Sequence, residues 1–223
     1  MPYSVAQESV VVSAGRVLLH GILGRPPASA GRPAGVVLFA HGSGSSRFSR
    51  RNAFVAEQLQ AAGLRTLLVD LLTEEESQDR HNVFDIGLLG ARVRACVEWL
   101  SRTPSTRGLP IGLFGASTGA AAALVAAAET PALVGAVVSR GGRPDLALPV
   151  LPDVQAPTLL IVGGDDEPVV GMNREAFARL TCPKRLDIVP GATHLFEEPG
   201  ALEHVAELAR DWFLAHLHRP AQA

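Results

Sequence analysis

Four short stretches of the 223-residue chain hold the residue types that acyl-transfer chemistry needs. The first is Gly115-Ala116-Ser117-Thr118-Gly119, which follows the run PIGLF and precedes AAAALVAAAE. A serine on a sharp turn between a strand and a helix stands clear of the sheet. Small residues are needed two before and two after it, because the backbones crowd there. Ser117 is therefore a candidate nucleophile, at a helix N-terminus where developing negative charge is favoured. The same five residues taken alone also describe an ordinary turn with a capping serine.

A serine hydroxyl is a poor nucleophile until a base takes its proton, and an imidazole base needs an anion to hold its tautomer. Both are present in order. Thr158–Val162 runs into Gly163-Gly164-Asp165-Asp166-Glu167-Pro168-Val169, and Leu186–Val189 runs into Pro190-Gly191-Ala192-Thr193-His194. Each loop follows a strand-like run, and ligand sites in parallel sheets lie at the carboxyl ends of strands. Asp166 fits the Gly-x-x-Asp-x-x-Val spacing, with Asp165 the alternative one residue away. A His194 that merely caps a helix would leave this order a coincidence. The fourth stretch, His41-Gly42-Ser43-Gly44 after GVVLFA, can present a backbone N–H to an oxyanion. Ser43 and Thr118 are the expected amide donors. A dinucleotide loop is excluded because Arg47 stands where the third glycine would be.

Cations cluster near these loops. Arg47, Arg50 and Arg51 stand at the start of a predicted helix, where they oppose its dipole and call for an anion. The run Glu74-Glu75-Glu76 is one partner; a substrate carboxylate or phosphate is the other. Arg140, just after the strand Val134–Ser139, lies on the same edge, so Arg47 or Arg140 is expected to orient an acidic acyl group.

The elements that must carry these loops are legible as an alternation of apolar runs and helical patterns. Ser9–Ser13 and Arg16–Ile22 predict an antiparallel edge hairpin around Ala14-Gly15. Val36–Ala40, Thr66–Val69, Ile111–Phe114, Ala136–Val138, Thr158–Val162 and Leu186–Val189 predict strands buried on both faces. Ile86, Leu89, Val93, Cys96, Val97 and Leu100 mark one helix face; Leu202, Val205, Ala209 and Trp212 mark the last helix, with Pro199 in its first turn. The polar segment Leu71–Phe84 is the one lid candidate, so a shallow site for small esters is expected. Arg219–Ala223 is expected to fray. The predicted class is α/β: a single domain over residues 1–223, a mostly parallel central sheet with an antiparallel N-terminal edge hairpin, helices on both faces and a minimal cap.

Composition narrows function further. Apolar residues make up 47% and net charge is −2, which suits a folded globular chain and disfavours nucleic-acid binding. No run approaches the roughly 18 apolar residues of a membrane helix. The start MPYSVAQESVV has no basic cluster before its apolar stretch and is not expected to be a secretory signal. Cys96 and Cys182 lack metal-ligand spacing, which argues against zinc and disulfides. The only lysine, Lys184, follows Pro183, so a phosphate-binding Gly-Lys-Ser/Thr loop is absent. A cytoplasmic protein with no cofactor or metal is expected, as a monomer or homodimer acting on a small ester or acyl substrate.

The segments VLFAHGSGSSR, LFGASTGAAAA, VVSRGGRPDL and VPGATHLFEEPGAL resemble the α/β-hydrolase superfamily and, within it, the dienelactone hydrolase family. The resemblance spans Val36 to Leu217 and implies a Ser117–Asp166–His194 triad with Ser43 and Thr118 as oxyanion donors. It also implies a branch whose members can be joined to a phosphoribosyltransferase domain. Two features depart from enzymes that open dienelactone itself. Ser117 replaces their cysteine, and Glu197 and Glu198 stand where they carry a carboxylate-binding arginine. General ester, lactone or thioester hydrolysis is therefore expected; a non-catalytic binding module or an acyltransferase are the alternatives.

Overall fold

The structure is a computed structural model that describes residues 7–217. Its chain opens with β1 (Gln7–Ala14) and β2 (Val17–Gly24), an antiparallel hairpin closed by the two-residue turn Gly15-Arg16. Gly15 takes φ 69, the positive value such tight turns favour. Six more strands follow: β3 (Val36–Ala40), β4 (Arg65–Val69), β5 (Ile111–Ala116), β6 (Val134–Arg140), β7 (Thr158–Gly163) and β8 (Lys184–Val189). They form one eight-stranded sheet in the order β1-β2-β4-β3-β5-β6-β7-β8, antiparallel through β2–β4 and parallel from there on. Every residue of β3, β4, β5 and β7 is buried, as continuous apolar runs require when helices cover both faces.

Alternate residues of β3 point into two separate cores. Val37 and Phe39 pack against α1 (Arg50–Ala61) and α7 (Ala201–His216), whereas Leu38 and Ala40 face α4 (Ile86–Arg102) and α5 (Thr118–Glu129). Ala120 to Ala123 are fully buried, so α5 lies close on the sheet and brings its N-terminus to the end of β5. After β6 the chain forms a 3-10 stretch, Pro144–Asp153, where Pro149 and Pro152 remove the N–H groups an α-helix would need. Between β7 and β8 runs α6 (Glu167–Arg179).

Three expectations are corrected. The strand at Leu186–Val189 is not buried on both faces: β8 is an edge of the sheet, and only its Val189 is buried. The Leu71–Phe84 segment is not a loose lid but holds two short helices, α2 (Glu74–Gln78) and α3 (Arg80–Phe84). Thr73 and Glu76 form a reciprocal cap on α2, and Glu76 also pairs with Arg92 of α4 at 2.7 Å, which pins the segment. Pro199 precedes the last helix rather than lying in its first turn, because Gly200, at φ 81, is the N-cap of α7. The expected fraying at 219–223 lies outside the described residues. Among the described residues no helix is long and apolar enough to cross a membrane.

Candidate active site

Ser117 sits between β5 and α5 at φ 50, ψ −122, a region L-residues occupy at a cost of about 1–3 kcal/mol. The surrounding backbone enforces it. The Ser117 N–H donates to the Arg140 carbonyl at 3.3 Å, and the Ser117 carbonyl accepts from the N–H groups of Arg143 and Ala120. A Cβ at Gly115 would lie 2.4 Å from Ala120 Cα, and one at Gly119 would lie 2.3 Å from the Ala40 carbonyl oxygen. The small residues flanking Ser117 are thus a packing necessity. The Ser117 side chain makes no capping bond to α5, so the hydroxyl is not spent as a cap.

His194 and Asp166 meet from separate loops. The Nδ1 of His194 lies 2.6 Å from Oδ2 of Asp166, although 28 residues part them. Asp166 is the N-cap of α6 yet makes no side-chain cap bond, which leaves its carboxylate for the imidazole. Asp165 is exposed, and its N–H donates to the Ala192 carbonyl at 3.0 Å. With the Gly164 N–H on the Val189 carbonyl at 2.8 Å, this stitches the two loops together. Gly163 allows the approach: a Cβ there would lie 2.3 Å from the Ala192 oxygen. The His194 side chain is 37% exposed and that of Asp166 15%, so the imidazole is reachable while the carboxylate is shielded.

The strand-end loop 140–143 touches both halves. Arg140 and Arg143 hold the Ser117 backbone, and a Cβ on Gly141 would lie 3.7 Å from Cε1 of His194. Beyond His194, Glu198 accepts from the Thr193 hydroxyl at 2.6 Å and the Thr193 N–H at 3.1 Å, bracing the histidine loop. Those bonds hold the Glu198 carboxyl below its ordinary value. Phe196, fully buried at φ 56, fills the space beneath Gly141.

On the other side of Ser117 lies the loop after β3. A Cβ on Gly42 would be 2.9 Å from the Ser117 Cβ, so this loop abuts the serine. His41, unassigned by sequence reasoning beyond its place in the motif, proves to orient it. Its Nε2 accepts from the Leu71 N–H at 3.1 Å, so Nδ1 carries the proton and donates to the Gly42 carbonyl at 2.9 Å. A trans peptide points its C=O and N–H oppositely. With the carbonyl held by His41, the Ser43 N–H turns the other way and donates to the Thr118 hydroxyl at 2.9 Å. Burial pushes the His41 imidazole below its ordinary value, which keeps it neutral and able to accept.

The cations divide. Arg47 forms an ion pair with Asp70, whose carboxylate also accepts the Arg47 N–H. The anion it needs is therefore within the chain, and it is Asp70 rather than the Glu74–Glu76 run. Arg51 pairs with Glu197 at 3.1 Å. Among the described residues Arg140 has no carboxylate partner: one guanidinium nitrogen reaches Asn52 Oδ1 at 3.3 Å, its Nε is buried without a partner, and Phe196 lies 5.9 Å away. Burial, with Arg51 nearby, lowers it to about 10, so it stays charged at neutral pH. Beside the loop a cavity of about 710 Å³ opens, lined by His41, Ser43 and Thr118 with Leu18, Phe48 and Leu72 among its walls.

The Dienelactone hydrolase family matches this chain over residues 19–217. The crystal structure of a dienelactone hydrolase from Anabaena variabilis superimposes with a TM-score of 0.92 at 57% identity, covering 97% of this chain and 100% of that one. Est1E from Butyrivibrio proteoclasticus shares the fold, with a TM-score of 0.77 at 16% identity over 93% of this chain and 98% of its own. A Mycobacterium tuberculosis protein, provisionally named a phosphoribosyl transferase, is 58% identical over 213 residues, 96% of this chain and 47% of its own. The chain spans about half the length of the curated relatives it matches. With the eight-stranded α/β-hydrolase sheet and the family match over most of its length, this chain belongs to the dienelactone hydrolase family.

Proposed function

We propose that this chain is a serine hydrolase of small carboxylic esters, lactones or thioesters. The observation that carries this reading is the 2.6 Å contact of His194 with Asp166, on loops at the same sheet edge as a serine held at φ 50. The Ser117 oxygen attacks the acyl carbon while Nε2 of His194 takes its proton. Asp166 holds the tautomer and stabilises the imidazolium. The carbonyl π pair moves onto oxygen, which the Thr118 amide and the loop around Ser43 stabilise. On collapse the C=O re-forms, and the leaving oxygen or sulfur takes the proton from His194. Water repeats the sequence on the acyl-enzyme. The cavity beside Thr118 and Ser43 suits an acyl or leaving group of modest size.

Arg140 supports an acidic acyl group as the preferred substrate. A buried guanidinium without a counter-ion carries a desolvation cost that a bound carboxylate would offset. The phosphoribosyl transferase in the mycobacterial name is not part of this reading.

A panel of p-nitrophenyl esters of increasing chain length, with neutral and carboxylate-bearing acyl groups, tests the assignment. Hydrolysis of the short members should fall at least about 1,000-fold in Ser117→Ala and in His194→Ala. Arg140→Gln should lower kcat/KM about tenfold for the carboxylate-bearing esters relative to the neutral ones. An unchanged ratio would remove Arg140 from substrate binding.

A further inference from the structure

The Ser43 N–H, expected to point at an empty oxyanion hole, is engaged: it donates to Oγ1 of Thr118 at 2.9 Å, with Thr118 only 3% exposed. A hydroxyl that accepts one hydrogen bond still has its own proton to give. Among the described residues nothing takes the Thr118 proton as an acceptor, whereas Thr130, Thr158 and Thr106 each donate to a backbone carbonyl.

Covalent geometry limits where that proton can go. Thr118 N and Oγ1 are three bonds apart, roughly 3 to 4 Å. One oxyanion can therefore accept from both the Thr118 N–H and the Thr118 hydroxyl, which lines the cavity. Resting on Ser117 as the nucleophile of an ester hydrolase, we propose that the Thr118 hydroxyl is itself an oxyanion donor. The Ser43 N–H acts through it, polarising the O–H bond rather than meeting the oxyanion directly.

The electron balance is simple. As the Ser117 oxygen bonds to the acyl carbon, the C=O π pair becomes the oxyanion, which accepts from Thr118 N–H and Thr118 Oγ1–H. No proton leaves the threonine. When the tetrahedral intermediate collapses, the pair returns to the C=O and the two bonds loosen. A chain N–H to O–H to O⁻ strengthens cooperatively as charge develops. The arrangement also gives His41 its consequence, since the imidazole fixes the peptide whose N–H begins the chain.

Thr118→Val keeps the shape and removes the hydroxyl. In the full chain it should lower kcat for a short p-nitrophenyl ester about 30- to 100-fold, with KM changed less than about threefold. Affinity for a phenylboronic acid, which mimics the tetrahedral adduct, should fall by a similar factor, and Thr118→Ser should recover most of both losses. If Thr118→Val is as fast as the parent or faster, the hydroxyl only occupies the hole and the proposal is overturned. Should the valine variant not fold, Thr118→Ala against Thr118→Ser makes the same comparison. Failure of the wider reading looks different: the parent itself would then hydrolyse no ester.

Discussion

A neutral imidazole with a fixed tautomer decides the geometry on one side of Ser117. His41 accepts from Leu71 and donates to Gly42, two bonds that only the neutral ring can make together. The sign of its pH effect follows. The folded His41 titrates below its ordinary value, so the unfolded chain, at about 6.5, takes up a proton that the folded chain refuses. This contribution to stability is fully present above that value. It declines as pH falls from about 6.5 toward the lowered folded value, and it levels off below. Denaturation midpoints measured between pH 7.5 and 5 should show a shallower pH slope in His41→Asn than in the parent. Equal slopes would mean that His41 does not contribute in this way. Nothing in the sequence distinguishes His41 from a motif residue of no consequence, because Leu71, the partner that fixes its tautomer, becomes a neighbour only after β3 and β4 pair.

Pairs of loops, more than single side chains, bring the acid to the base. The loops after β7 and β8 are joined by backbone bonds from Gly164 to Val189 and from Asp165 to Ala192, with Gly163 pressed against the Ala192 carbonyl. Gly163→Ala places a methyl group 2.3 Å from that oxygen, so the loops must part. The variant should lose about 2 kcal/mol of stability by chemical denaturation. Its ester hydrolysis should fall more than tenfold, whereas Gly171→Ala, in exposed helix where a Cβ meets nothing within 4 Å, should leave hydrolysis unchanged and cost no stability. A Gly163→Ala protein with the parent's activity would show that the His194–Asp166 contact tolerates separation of its loops. The choice between Asp165 and Asp166 belongs to this scale. Spacing favours one, but the path of the three residues Gly164, Asp165 and Asp166 between β7 and α6 determines which carboxylate meets the ring. The two short helices in Leu71–Phe84 were equally hidden, since five-residue helices have no room for an amphipathic period and depend here on Thr73, Asp79 and Arg92.

The whole molecule places chemistry where parallel strands end. Ser117 follows β5, Arg140 ends β6, Asp166 follows β7 and His194 follows β8, so four adjacent strands deliver the four candidate side chains in spatial order. This much was legible in the sequence, because β5, β6 and β7, covered on both faces, leave apolar runs, the edge strand β8 keeps Leu186, Ile188 and Val189, and each loop begins where a run stops. What was not legible depends on packing between distant elements. Arg140 alternates onto the face shared with Val138 and becomes buried among Asn52 and Phe196. Arg47 finds Asp70 only because β4 lies beside β3. The central claim is that Ser117 is activated by His194. It is tested most directly by reacting the folded protein with a fluorophosphonate and mapping the adduct by mass spectrometry. The account predicts a single adduct on Ser117 in the parent and none on the same timescale in His194→Ala. A folded parent left unmodified at Ser117, or a His194→Ala variant labelled as fast as the parent, would contradict it.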